Sequence, residues 1–348
     1  MYITDLKAIS PQLTYDNELL EGKKTTHEDQ VYNVIEPDYM EFIPKGLLRR
    51  MGRAIRMGVG AGLPLVKAHS DIDAVVIGTA NGGLEDCIKF LNQIVEYDEG
   101  VLTPTNFVQS TPNAVAGQLA LMGQNRGYNT TYTNGGLAFE NAVLDAWLLF
   151  RENAVDKLLL GGIEEISDYN YNIDSLAGHY KNEIVNDEDL LSSTTKGTVC
   201  GEGASLFVLE KAPAEYYAKI EDVEQITYPT ELEFDDCLEL LLSRNNLQVD
   251  DIDTIMLGYN GDSRHTPWYT HLEEHLIPNA NVLSFKNLSG DYRTCSAFAT
   301  WLSAHLLNGE KAFLPHIELR KKHEKEISRI LIYNHFDEVR HGFILLSK

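Results

Sequence analysis

The stretch NTTYTNGGLAFENAVLDAWLLFRENAVDKLLLGGIEE (129–165) decides the fold. Its first five residues, NTTYT, have the β-branched and aromatic content of a short strand. GLAFENAVLDAWLLFREN (136–153) then spaces its apolar residues as a long amphipathic helix does. KLLLGGIEE (157–165) closes the unit as a buried strand ending in glycines. Upstream, MYITDLKAI and DAVVIGTA (73–80) read as strands, GLEDCIKFLNQIVE (83–96) and AVAGQLALMGQ (114–124) as helices. PKGLLRRMGRAIRM (44–57) reads as one helix-like basic stretch. Downstream, GASLFVLEK (203–211) is a strand and YYAKIEDVEQITY (216–228) a strand entering a new layer. The second part repeats the rhythm: helix LEFDDCLELLLSRNN (232–246), strands IDTIMLGYNG (252–261) and VLSFKN (282–287), and helix CSAFATWLSAHLLNG (295–309). Two strands, ISRILIYNHF (327–336) and GFILLSK (342–348), close it. This order predicts an α/β fold with mixed sheets buried between helices, built from two similar halves.

Composition narrows the functional classes. The 348 residues carry 29 basic and 52 acidic side chains, a net charge of -23, which repels nucleic-acid backbones. No apolar run is long enough to span a membrane. The opening reads as a strand and not as a secretory signal. Cys87, Cys200, Cys237 and Cys295 form no CxxC pair, as expected of reduced thiols in a cytoplasmic protein. Neither GxGxxG nor GxxxxGK[ST] occurs, so no nucleotide cofactor is expected.

Several segments, in order along nearly the whole chain, resemble the β-ketoacyl synthases of fatty-acid and polyketide synthesis. They are YITDLKAISPQ (2–12), PKGLLRRMGRAIRMGVGAG (44–62), TPTNFVQSTPNAVAGQLAL (103–121), KLLLGGIEE, KGTVCGEGASLFVLEK (196–211), SFKNLSGDYRTCSAF (284–298) and GFILLSK. The resemblance implies a thiolase-like αβαβα layered sandwich from two similar halves, 1–215 and 216–348, forming one compact unit. It also implies a dimer with NTTYT at the subunit contact, where pairing would cover a sheet edge.

The chemistry implied by that family needs a cysteine nucleophile at a helix N-terminus, two histidines and an oxyanion hole. The nucleophile position maps to Gly135 or Gly136, which have no side chain to acylate. The first histidine maps to Gly258 or Asn260, with His265 a few residues on, and the second to Asp291. An ionised aspartate there accepts hydrogen bonds only and opposes developing negative charge. The last loop, glycine-rich in the family, reads NHFDEVRHG (334–342), whose Asp337, Glu338 and Arg340 need more room than a tight turn gives. Lys286 is the one family position kept, and an ion pair with Asp291 or Glu202 is expected of it.

The resemblance thus implies a condensing-enzyme homologue without condensing activity. The leading expectation is a chain-length-factor-like partner of an active ketosynthase subunit, as a heterodimer, or of itself, as a homodimer. Two others are an acyltransferase with altered chemistry, using Cys295, Asp291 or His265, and an acyl-ligand-binding or scaffolding protein. Cys200, in the VCGEG turn, reads as a buried thiol, whereas Cys295 begins a helix, a better place for a thiolate. Lys45, Arg49 and Arg50 sit where related synthases meet an acidic acyl carrier protein. THLEEHLIP (270–278) holds His271, Glu274 and His275 in an inverted zinc-protease spacing, but without a third ligand it reads as a polar surface helix, so no metal is expected.

Overall fold

The computed structural model describes residues 1–322 and 326–348. In chain order the strands are β1 (Tyr2–Ile9), β2 (Val31–Tyr32), β3 (Ala74–Gly78), β4 (Tyr128–Tyr132), β5 (Lys157–Glu164), β6 (Cys200–Gly201), β7 (Gly203–Glu210), β8 (Ala218–Thr227), β9 (Thr254–Leu257), β10 (Asn281–Ser284), β11 (Glu318–Arg320), β12 (Arg329–Phe336) and β13 (Arg340–Ser347). The helices are α1 (Lys45–Leu48), α2 (Arg53–Ala68), α3 (Leu84–Glu96), α4 (Pro104–Gln109), α5 (Ala114–Met122), α6 (Ala138–Arg151), α7 (Asp168–Leu176), α8 (Glu231–Arg244), α9 (Thr266–His271), α10 (Lys286–Ser289) and α11 (Ser296–Leu307).

The main sheet runs β11-β10-β9-β12-β13-β8-β1-β7-β5-β3-β4. At one end β4, β3 and β5 are parallel, β7 is antiparallel to β5, and β1 is antiparallel to β7. Beyond β1 the scheme repeats. β10, β9 and β12 are parallel, β13 is antiparallel to β12, and β8 is antiparallel to β13. Among the described residues, β1 pairs with β8 through Tyr2 with Lys219 and Ile3 with Ala218, which joins the two strand sets.

Three apolar cores follow from this duplication. α2 and α5 cover one face of the first set, through Ile55, Val59, Leu63 and Leu119 against Val75 and Leu206. α8 and α9 cover the outer face of the second set, where Phe234, Leu241 and Tyr269 meet Leu331 and Phe343. Between the sets lie α6 and α11, with Phe139, Val143, Phe298 and Trp301 packed against Phe207 and Ile332. α11 is buried at every position, which is why CSAFATWLSAHLL has no polar face. The layers therefore run αβαβα, with a helix pair in the middle.

Two local expectations are corrected. PKGLLRRMGRAIRM is not one helix: α1 ends at Leu48, and α2 begins after Gly52, whose extended backbone caps it. Gly52 N–H donates to Gln109 Oε1 at 2.6 Å, and a Cβ on Gly52 would lie 2.1 Å from Asp86 Oδ2, so a side chain there would displace the Asp86 carboxylate. NHFDEVRHG is also tighter than expected. Val339 N–H bonds to Phe336 C=O at 3.1 Å, and Asp337 and Glu338 both adopt left-handed backbone, with φ of 53° and 56°. That is the primed turn a two-strand hairpin favours, here built without glycine.

Candidate functional site

β4 leads through a 3-10 turn, Gly135–Leu137, into the N-terminus of α6. Gly135 is left-handed, with φ of 66°, and a Cβ there would come within 3.6 Å of the Arg340 guanidinium. At Gly136 an added Cβ would lie 2.2 Å from Phe336 Cβ and 2.8 Å from its Cγ. Phe336, at the end of β12, thus fills the space that a side chain at position 136 would take. The ring is held from two sides. His179 stacks on it at 6.2 Å and the Arg293 guanidinium lies 4.9 Å from its centroid. Arg293 is anchored to Asp174 at 3.1 Å, and His179 Nδ1 to Asp337 at 3.3 Å. The Asp337 hydrogen bond raises the His179 pKa, outweighing the lowering by burial.

The other mapped positions gather beside this plug. A Cβ on Gly258 would lie 2.1 Å from Asn334 Oδ1 and 2.8 Å from the Tyr269 hydroxyl, so a side chain there would have to displace both. Asn260 Nδ2 donates to Asp291 at 2.7 Å and lies 3.3 Å from His265 Nδ1. Lys286, buried, bonds Asp291 at 2.9 Å. Burial pulls the Lys286 pKa down, but Asp291, with Cys295 and Tyr269, outweighs it and holds the ammonium above its ordinary value. Of the two counter-charges expected for Lys286, Asp291 is therefore the one used. Glu202 instead binds Arg53 and accepts from Val34 N–H and Ile166 N–H. Lys286 and Asp291 form an internal ion pair.

The space left among Asp291, His265, His335, Phe336, Asp337 and Arg293 is a cavity of about 30 Å³. That is the scale of one water molecule.

Residues 23–176 match the family model of the β-ketoacyl synthase N-terminal domain. The fold is that of the β-ketoacyl synthases, shared over the whole chain with solved structures of low identity. Among solved structures, a β-ketoacyl synthase from Burkholderia phymatum STM815 is 16% identical, with a TM-score of 0.82 over 100% of this chain and 98% of that one. A ketosynthase in complex with its chain length factor, from Xenorhabdus doucetiae, is 15% identical, with a TM-score of 0.77 over 99% and 97%. A type II polyketide synthase acyl-carrier protein in complex with its ketosynthase is 16% identical, with a TM-score of 0.73 over 99% and 98%. At these identities the likeness establishes the fold. No curated protein matches the sequence.

Neither candidate thiol of this synthase-like chain is poised as a nucleophile. Burial pushes the Cys295 pKa up to about 12, against the lowering by Lys286, and Cys295 Sγ accepts from Asn334 Nδ2 at 3.6 Å. The expectation that its helix start would favour a thiolate is corrected by that burial. Burial likewise pushes Cys200 up to about 12, and its backbone bridges to Asp291. His271 bonds Asp235 at 2.7 Å, and no group of three metal-ligating side chains occurs among the described residues. THLEEHLIP is not a wholly polar surface helix, because Leu272 and Glu273 are buried where α9 runs into a π turn. No helix among the described residues is long and apolar enough to cross a membrane.

Lys45, Arg49 and Arg50 lie apart from the plugged site, exposed on and just after α1. Phe336, Arg293, His179 and Asp174, which build the plug, escaped the sequence reading. Phe336 sat within a quoted segment, but nothing in its spacing shows that it reaches across to Gly136.

Proposed function

We propose that this chain is a non-catalytic, chain-length-factor-like subunit that pairs with a thiol-bearing ketosynthase. The observation that carries the reading is the mutual fit of Gly136 and Phe336, which leaves no nucleophile and no room for one. A water-sized cavity and protonated thiols lend no support to an acyltransferase using Cys295 or to a pocket for an acyl ligand. The sheet end supports pairing. β4 is the terminal strand, α5 and α6 pack against it, and Tyr128, Leu121 and Leu148 stand exposed around it. An unpaired edge beside apolar side chains is a template for another strand. Docking of an acidic carrier protein is assigned to Lys45, Arg49 and Arg50.

The test is co-expression with a cysteine-containing ketosynthase encoded beside it, followed by affinity purification through one subunit. A stoichiometric complex, disrupted by Thr130→Pro on β4, is the expected result. A stable homodimer that ignores the synthase would refute the pairing. Reversal of both arginines, Arg49→Glu with Arg50→Glu, is expected to weaken carrier-protein binding at least about tenfold; unchanged affinity removes them from the docking surface.

A further inference from the structure

We propose that the turn between β12 and β13 is a proton-controlled latch, in which the charged ring of His179 holds the turn down and keeps Phe336 seated on Gly136. The turn is strained. Asp337 and Glu338 both take left-handed backbone without the freedom of glycine. Such residues persist where their surroundings over-determine them, and histidines do so here from both sides. On the inner side, His335 Nδ1 accepts from Glu338 N–H at 3.3 Å, and its Nε2 donates to His265 C=O at 2.9 Å. His341 Nε2 donates to Glu338 C=O at 3.0 Å. Burial lowers the pKa of both rings, so they stay neutral at and above neutral pH and the inner contacts do not change there.

The outer side is different. His179 Nδ1 donates to Asp337 Oδ1 at 3.3 Å, and its ring stacks on Phe336. His179 itself stands on a fixed base. Its C=O accepts from Thr198 N–H at 2.9 Å. Two residues on, the buried Lys181 ammonium bonds Ser193 Oγ and Thr195 Oγ1, each at 2.8 Å, and Gly261 C=O at 2.9 Å. With the base fixed, a weakened contact is relieved by movement of the turn.

The charges around His179 set the sign. The Asp337 hydrogen bond raises its pKa against the lowering by burial; Asp174 on α7 adds to the rise and Arg293 before α11 opposes it. Asp174 is bonded to Arg293, Asp291 to Lys286, and Arg264 to Asp262. Glu338 and Arg340 stand on the hairpin itself. His265 Nε2 comes within 3.9 Å of the same Asp337 oxygen that His179 binds. The folded pKa of His179 lies above an unfolded value of about 6.5. The hold is therefore complete below about pH 6.5 and is lost as pH rises through the folded value.

The inference rests on the fit of Phe336 to Gly136 and not on the pairing reading, so its test needs no partner. Hydrogen exchange of the full chain, read by mass spectrometry on peptides covering 334–342 and corrected for the intrinsic rate, is followed from pH 6 to pH 9. Protection of the Glu338 and Val339 amides is expected to fall about two- to fivefold, the scale of a partly exposed ion pair. The midpoint of that fall should coincide with the titration of His179 followed by NMR. His179→Gln is expected to leave protection low at every pH, and His179→Arg, which keeps its charge, to hold it high to pH 9. Constant protection in the unsubstituted chain, a midpoint away from the His179 titration, or a fall that survives His179→Gln would overturn the latch. Loss of the fall in His265→Gln, with His179 intact, would overturn it too. Should a variant fold poorly, the two midpoints of the unsubstituted chain decide the matter. The fit of Phe336 to Gly136 is tested separately, by the stability of Gly136→Cys.

Discussion

Placing a cysteine at the helix start by Gly136→Cys is expected to damage the fold. The new Cβ would lie 2.2 Å from Phe336 Cβ, against an optimum of roughly 3.5–4.0 Å between carbons. Phe336 Cβ is fixed to the backbone of β12, so no rotamer change moves it away. Relief requires a shift of either the hairpin or the α6 start, and such overpacking costs about 1–3 kcal/mol, with the upper end expected here. At about 2.1 cal/mol/K of unfolding entropy per residue, a chain of this length loses about 1.4 °C of Tm per kcal/mol, so the variant should melt about 4 °C lower. A second substitution sharpens the test. Phe336→Ala keeps the offending Cβ and should rescue little. Phe336→Gly removes it and should show a favourable coupling of about 1–3 kcal/mol with Gly136→Cys. Melting curves of the single and double variants, with iodoacetamide labelling of the introduced thiol, measure this. A Gly136→Cys protein with wild-type Tm, or equal rescue by alanine and glycine at 336, would show that Phe336 does not occupy the nucleophile's space.

Asp291→Ala strands the buried Lys286 ammonium, an expected loss of about 3–5 kcal/mol, whereas Lys286→Met combined with Asp291→Leu should lose less than Asp291→Ala alone; chemical denaturation compares them, and the reverse order would deny the pair its structural role. Iodoacetamide at pH 8 followed by peptide mapping of the native protein should label Cys87 but spare Cys200, Cys237 and Cys295, whose thiols burial pushes up to about 12; stoichiometric labelling of Cys295 would reopen the case for a displaced nucleophile. His341 is held neutral by burial, its pKa brought down to about 4. Its folded value lies below the unfolded one of about 6.5, so the unfolded chain takes the proton first as pH falls. Its contribution is complete above about pH 6.5 and declines towards pH 4, by about 3 kcal/mol in all. His341→Gln should flatten the fall in Tm over that interval, and an unchanged slope would assign the acid sensitivity to other groups.

Strands and helices were legible where burial imposes a pattern. DAVVIGTA and KLLLGGIEE became adjacent parallel strands, β3 and β5, and the all-apolar CSAFATWLSAHLL became the fully buried α11. Motif order in the flanking segments pointed to Gly135 or Gly136 and to Asp291 as the positions to inspect. What surrounds them was not legible. Phe336 lies 200 residues from Gly136 along the chain, and only the pairing of β12 with β13 and the primed turn after it bring the ring over α6. Gly52 misled for a similar reason. In sequence it looks like a tolerated glycine within a helix, whereas its close neighbours, Asp86 of α3 and Gln109 of α4, come from elsewhere in the chain.

Gly136 and Phe336 constrain each other. With Phe336 in place a cysteine cannot return to position 136, and with glycine there the ring covers a helix end that would otherwise face a void. The second departure is coupled in the same way. A buried lysine without a counter-charge is strongly unfavourable, so the aspartate at 291 stabilises Lys286 only while it stays ionised and bonded to it. A histidine restored there would leave the ammonium unpaired. A cysteine at 136 and a histidine at 291 would therefore each need compensating change in their surroundings, Phe336 in one case and Lys286 in the other.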